Sequence, residues 1–127
     1  MAQHKILVVD DDEALREALH TVLLSAGYEA LEAKDGVEGL LVAEKEKPNL
    51  ILLDIQMPKM GGHEMLNALR KTPWGKNMHV LLLTNADDAT NITHGVSLHS
   101  DDYIIKSNTS LEEILKRVKQ HLAGYFD

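Results

Sequence analysis

The sequence contains no cysteine, and this absence removes several classes of site at once. Without thiols the chain forms no disulfide framework and no thiolate zinc site, and it offers no cysteine nucleophile. Long apolar runs are also missing, because the first one, at residues 6–9, is broken by Asp10 and none approaches the length that crosses a bilayer. We therefore expect a cytoplasmic protein with no membrane partner.

Positive charge is scarce. Thirteen Lys and Arg residues against twenty Asp and Glu residues give a formal net charge of −7, which disfavours attraction to DNA, RNA or anionic lipid. We therefore expect no direct nucleic-acid partner. The length of 127 residues, with 44% hydrophobic residues, suits one globular domain, which we place at residues 1–127.

The apolar residues that are present fall into short continuous runs, which are typical of strands covered on both faces of a parallel sheet. Amphipathic segments with a helical repeat lie between the runs, and alternating strands and helices predict an α/β fold with helices on both faces of the sheet. The predicted strands are residues 6–9, 28–33, 50–53, 80–83 and 103–105; a less regular helix is predicted at 90–98.

Polar side chains cluster where the predicted strands end. They are the run Asp10-Asp11-Asp12, Asp54, the pair Thr84-Asn85 and the pair Lys106-Ser107. The carboxyl ends of parallel strands meet at one edge of a sheet, so carboxylates there would repel one another unless a cation lay among them. Mg²⁺ prefers such oxygen ligands, and a carboxylate beside Mg²⁺ and lysine can attack phosphorus to form an acyl phosphate. We interpret Asp54 as that nucleophile.

The ordered set of motifs resembles the receiver domain of bacterial response regulators across essentially the whole chain. The matching features are the acidic pair Asp10-Asp11, Asp54 followed by Met57-Pro58, a hydroxyl residue at Thr84, and Tyr103 three residues before Lys106. The resemblance implies a flavodoxin-like, doubly wound (βα)₅ three-layer sandwich. Its five-stranded parallel sheet would have the order 2-1-3-4-5.

The resemblance also implies roles for these residues. Asp54 would accept the phosphoryl group, Lys106 would pair with it and Thr84 would hydrogen-bond to it. Asp11, Asp54 and the backbone carbonyl of Gln56 would bind Mg²⁺ directly, and Asp10 mainly through water. Thr84 and Tyr103 would then act as the switch, although an aromatic residue in a strand is also commonly a core residue.

Partners follow from the same resemblance. The phosphoryl donor would be a sensor histidine kinase or a phosphotransfer protein, and small acyl phosphates would substitute for it. The phosphorylated chain would bind a downstream effector, which the sequence does not identify. The family also forms homodimers through the fourth helix, the fifth strand and the fifth helix, so this face is a candidate dimer surface here.

Three of the positions that depart from the family pattern bear on the phosphorylated state. Ser107 follows Lys106 where the family usually has proline, Asn85 stands where a small residue is usual, and Gln56 lies two residues after the acceptor. We expect Gln56 and Asn85 to flank the path of a hydrolytic water and to tune the lifetime of the phosphorylated state. Asp12 is better interpreted as the cap of the first helix than as a metal ligand.

Three other functions compete with a phosphorylation switch that acts only on itself. A phosphorylation-independent pseudo-receiver should lack the acidic pair, the acceptor or the lysine, all of which are present. An aspartyl phosphohydrolase usually has a second acid two residues after the nucleophile, where this chain has Gln56. A flavodoxin-like electron carrier needs a phosphate loop after the first strand, where three aspartates would repel the phosphate.

Overall fold

The computed structural model describes residues 4–84, 102–106 and 109–123. The predicted helix at 90–98, Asn85 and Ser107 lie outside these ranges. The described elements are β1 (Lys5–Val9), α1 (Glu13–Ser25), β2 (Glu29–Ala33), α2 (Gly36–Glu46), β3 (Leu50–Asp54), α3 (Gly62–Arg70), β4 (His79–Thr84), β5 (Asp102–Ile105) and α4 (Leu111–Leu122).

The five strands form one parallel sheet in the order β2-β1-β3-β4-β5. The three central strands carry continuous aliphatic runs because helices cover both of their faces, and the side chains of β3 are buried along its whole length. The predicted α/β class, strand order and doubly wound sheet are confirmed. Since β1 and β3 are neighbours, the order of strands reverses between them, which opens a crevice at their carboxyl ends.

Two apolar cores lie on opposite faces of the sheet, because alternate side chains of one strand point to opposite sides. Leu7 and Val9 of β1 pack with α2 and α3 on one face, whereas Ile6 and Val8 pack with α1 and α4 on the other. Among the helices that the structure describes, none combines the length and the apolar character needed to cross a membrane.

Side-chain caps begin three of the four described helices. The Asp12 side chain accepts a hydrogen bond from the Leu15 amide at 3.2 Å. The side chains of Asp35 and Ser110 likewise accept from an amide three residues later, at the starts of α2 and α4. Each cap satisfies an amide that the first helical turn leaves without a partner. The prediction that Asp12 serves the helix is confirmed, and only Asp10 and Asp11 of the aspartate run are left to face the sheet edge.

A close backbone approach after β3 fixes the loop that follows Asp54. The amide of Gly62 donates to the Ile55 carbonyl at 2.8 Å. A Cβ atom at Gly62 would lie 2.3 Å from the Asp54 carbonyl oxygen and 2.8 Å from the Ile55 Cα. Only glycine fits between α3 and the end of β3 without moving one of them.

We expect Gly62→Ala to lower the free energy of unfolding by about 2 kcal/mol or more, because the methyl group must displace backbone atoms. Urea unfolding measures this change. The neighbouring variant Gly61→Ala is the control, since a Cβ there approaches the Ile55 carbonyl oxygen only to 3.2 Å. Equal losses in the two variants would contradict the steric explanation.

Candidate functional site

Four predicted site residues lie at the carboxyl ends of neighbouring strands. Asp54 is the last residue of β3 and Thr84 the last of β4, while Asp10 and Lys106 directly follow β1 and β5. The register places Asp54 opposite Leu83 and Thr84 opposite Ile105, next to Lys106. Because the sheet is parallel, all four residues meet at one edge, as the sequence predicted.

A buried ion-pair network joins three of these residues. The Nζ atom of Lys106 lies 3.1 Å from Asp10 Oδ2 and 3.1 Å from Asp54 Oδ1. Asp10 is completely buried, Asp54 is 4% exposed, and the Lys106 side chain is 16% exposed. One ammonium group therefore bridges two carboxylates that have little water around them.

Asp11 extends this network toward solvent. It is exposed, yet one carboxylate oxygen each from Asp10, Asp11 and Asp54 lie within 4.8 Å of one another. Three carboxylates against one lysine leave two negative charges in excess when all are ionised. Hard divalent cations take oxygen ligands of this kind, so the chemistry and the spacing of the donors fit such an ion. These three residues could hold it.

Burial and like charge disfavour the ionised form of Asp54. The pKa of Asp54 is raised to about 7, chiefly by loss of solvent and then by the neighbouring carboxylates of Asp10 and Asp11, while Lys106 opposes the shift. Burial alone would lower the pKa of Lys106, but Asp54 and Asp10 outweigh it and hold that pKa above its usual value. Lysine alone thus does not offset the charge of the cluster.

Hydrogen bonds anchor the backbone of Asp10 to β2 and α1. Its amide donates to the Ala33 carbonyl at 3.1 Å, and its carbonyl accepts from Arg16 Nη1 at 2.8 Å. Arg16 Nε in turn donates to Glu32 Oε1 at 3.1 Å. Sequence reasoning missed Arg16 and Glu32, because a charged residue on an amphipathic helix and another in a strand give no sign of contact with the site.

Of the remaining predicted residues, the structure describes Gln56, Thr84 and Tyr103. Gln56 is exposed in the loop after β3, two residues from Asp54, and Thr84 is fully buried. Tyr103 is 37% exposed, so it is not a core residue, and its carbonyl accepts a hydrogen bond from Arg117 Nη2 at 3.3 Å. Asn85, the second residue predicted to tune lifetime, lies outside the described residues.

Known proteins share this sequence pattern. A family model of the response regulator receiver domain matches residues 6–119. The response regulator MprA of Mycobacterium leprae is 38% identical over 115 residues, which are 91% of this chain and 49% of the relative. The chain spans about half the length of the curated relatives it matches.

Solved structures share the fold. The chemotaxis protein CheY4 of Vibrio cholerae superposes with a TM-score of 0.87 at 31% identity, over 94% of this chain and 98% of that one. A CheY-like response regulator receiver domain protein from Methanospirillum hungatei gives a TM-score of 0.88 at 31% identity, over 96% and 95% of the two chains. With its site residues at the strand ends where the motifs predict them, this chain belongs to the response regulator receiver domain family.

Proposed function

We propose that this chain is a phosphorylation-controlled switch in which Asp54 accepts a phosphoryl group in a Mg²⁺-dependent reaction. The donor is the phosphohistidine of a sensor kinase or a phosphotransfer protein. The chain catalyses only its own phosphorylation and dephosphorylation, and the modified form binds a downstream effector. Membership of the receiver family supports this role, and the roles of individual residues are our inference.

The observation that carries the proposal is the position of Lys106. Its ammonium group lies 3.1 Å from both Asp10 and Asp54, at the carboxyl end of β3, where Asp54 is the last residue of the strand. A cation in this place offsets negative charge that develops on transferring phosphoryl oxygens, in a pocket from which most water is excluded. A merely solvated surface lysine would not be held between two buried carboxylates.

Asp11, Asp54 and the backbone carbonyl of Gln56 would bind Mg²⁺ directly, and Asp10 through water. When bound, the ion would neutralise the carboxylates and phosphoryl oxygens and so favour the ionised form of Asp54. The raised pKa of Asp54 supports this requirement, because without a further cation burial and its acidic neighbours keep part of the carboxyl protonated near neutral pH.

The transfer exchanges one bond for another at phosphorus. A carboxylate oxygen of Asp54 attacks, and the new O–P bond forms as the P–N bond of phosphohistidine breaks. The electron pair of the broken bond remains on the imidazole nitrogen. With a small acyl phosphate the broken bond is P–O, and the donor's carboxylate leaves. Lys106 pairs with the transferred group, and Thr84 donates a hydrogen bond to it.

The output of the switch would be a change at the β5 side of the sheet. Thr84 moves toward the phosphoryl group, and Tyr103 turns inward from its half-exposed position. A homodimer through β5 and the neighbouring helices stays a prediction, because the helix predicted at 90–98 lies outside the described residues. The single domain at 1–127 and the cytoplasmic location also stay predictions.

Intact mass spectrometry tests the proposal directly. Incubation with Mg²⁺ and a small acyl phosphate should add the mass of one phosphoryl group to the native chain and none to Asp54→Asn. Asp11→Asn should slow the reaction strongly. Asp12→Asn is its matched control, because it alters the adjacent carboxylate but keeps a residue that caps α1 well. A native chain that stays unmodified at saturating donor would favour the pseudo-receiver.

The lifetime of the phosphorylated state provides a separate prediction. Gln56 lies two residues from the acceptor and is exposed, so it can flank an approaching water. We expect Gln56→Ala and Asn85→Ala each to change the dephosphorylation rate severalfold, by removing an amide that blocks or orients that water. Loss of label after removal of the donor measures the rate. Unchanged rates in both variants would sink the idea.

A further inference from the structure

We propose that Arg16, held by Glu32, is a positioning residue that presents Asp11 to the divalent ion. The inference rests on the proposed function, because it concerns the same metal site. It adds two residues that touch neither the ion nor the phosphoryl group. Both act through the backbone of Asp10, which precedes the most exposed ligand of the cluster.

The contacts of Arg16 are directed at the backbone and not at a carboxylate of the cluster. Nη1 donates to the Asp10 carbonyl at 2.8 Å, and Nε donates to Glu32 at 3.1 Å. The Arg16 side chain is 16% exposed, so its guanidinium is largely fixed between α1 and β2. The second oxygen of Glu32 lies 3.9 Å from His20 Nε2, on the other side of the carboxylate.

Asp11 needs this support more than the other two carboxylates of the cluster do. Asp10 and Asp54 are buried in the ion-pair network with Lys106, whereas Asp11 is exposed to solvent. The peptide unit is planar, so a hydrogen bond that fixes the Asp10 carbonyl also fixes the amide and the Cα atom of Asp11. A fixed Cα limits the positions that the Asp11 carboxylate can reach.

Arg16 adds to the other hydrogen bonds of Asp10. The Asp10 amide donates to Ala33, and Asp10 Oδ1 accepts from the Asp12 amide at 2.9 Å, which closes a turn across Asp11. Arg16 contacts the carbonyl oxygen that leads into Asp11 and so restrains this turn from its outer side. Partners that orient metal ligands in this way commonly change metal affinity by about 10-fold to 100-fold when they are removed.

Glu32 has a second role in this arrangement. An arginine that remained beside three carboxylates without a partner would be drawn to them and would compete with the cation. The ion pair with Glu32 offsets the charge of the guanidinium and turns Nη1 toward the carbonyl. Loss of this carboxylate should therefore weaken metal binding, although Arg16 itself remains.

Calorimetric titration with Mg²⁺ alone, near neutral pH, tests the inference on the full chain. We expect Arg16→Ala to weaken Mg²⁺ binding about 10-fold or more, and Arg16→Lys and Glu32→Gln to give intermediate losses. Arg70→Ala is the matched control, since Arg70 also donates to loop carbonyls, at Gly75 and Met78, but precedes the amino end of β4. It should leave Mg²⁺ affinity unchanged, even if stability falls.

A second readout separates positioning from general damage to the fold. In acyl phosphate reactions, the Mg²⁺ concentration for half-maximal rate should rise by the factor seen in the titration. The rate at saturating Mg²⁺ should stay within about twofold of the native value, because the reacting groups are intact. If Arg16→Ala proves too unstable to study, Arg16→Lys and Glu32→Gln carry the same comparison.

The outcomes distinguish this inference from the proposed function. If the native chain binds Mg²⁺ and the Arg16 and Glu32 variants bind it equally well, Arg16 serves only to pack α1 against β2. This result would overturn the inference and leave the proposed function standing. An equal loss in Arg70→Ala would overturn it as well. Native chain that binds no Mg²⁺ would overturn the metal-dependent function, and this inference with it.

Discussion

Lys106→Met is expected to slow phosphorylation by a small acyl phosphate by about 100-fold to 1,000-fold at saturating Mg²⁺. This is the effect typical of removing one preorganised group that stabilises transition-state charge. Methionine keeps much of the length of the side chain but neither its charge nor its hydrogen-bond donors. Intact mass measured over time gives the rate, and the Lys116→Met variant, altered on the exposed face of α4, is the control.

The same variant should behave in the opposite way toward the metal. Without the ammonium group that contacts Asp10 and Asp54 at 3.1 Å, the cluster becomes more negative and should bind Mg²⁺ at least as tightly as the native site. Slower transfer together with undiminished Mg²⁺ binding would assign Lys106 to the phosphoryl group. Weaker Mg²⁺ binding in proportion to the lost rate would instead show that the pocket collapses without lysine.

The sequence predicted the strand-end residues because their placement follows from a simple rule. Asp54 and Thr84 directly follow continuous aliphatic runs, and such runs are strands buried on both faces. Once the sheet is parallel, the residues after each run must share an edge. The prediction for Lys106 needed the resemblance as well, because a lone lysine after a short strand is usually a solvated charge.

Other parts of the site depend on contacts that a linear pattern does not encode. Arg16 and Glu32 lie on different elements, and only the packing of α1 beside β2 brings Nε within 3.1 Å of the carboxylate. Alternation within β5 puts Tyr103 and Ile104 on opposite faces of the sheet, with Tyr103 exposed and Ile104 buried. The alternation does not specify which of the two faces is covered, because that depends on tertiary packing.

A second large effect is expected in the pH dependence of the free energy of unfolding, measured without metal or phosphoryl donor. Burial and the acidic neighbours raise the pKa of Asp54 to about 7, far above the value of an unfolded chain. The folded state therefore holds a proton that the unfolded state has already lost. The contribution of the Asp54 carboxyl to the free energy of unfolding is fully present below about pH 4 and is lost as the pH rises through about 7.

Asp54→Asn removes this loss, because the amide carries no ionisable proton. In metal-free buffer the variant should match the native chain near pH 4 and exceed its free energy of unfolding by about 2–4 kcal/mol near pH 8. Urea unfolding across this range measures the difference, and Glu112→Gln, at an exposed position of α4, is the control.

Mg²⁺ should reduce this difference in the free energy of unfolding by stabilising the native chain. The ion binds the folded native chain and not the unfolded one, so it stabilises that chain by mass action, and it favours the ionised form of Asp54 that burial disfavours. Asp54→Asn lacks one of the three carboxylates and should gain less. A variant less stable than the native chain in metal-free buffer near pH 8 would mean that Lys106 outweighs burial at Asp54. The cluster would then be an ordinary buried ion pair and not a site held ready for a cation.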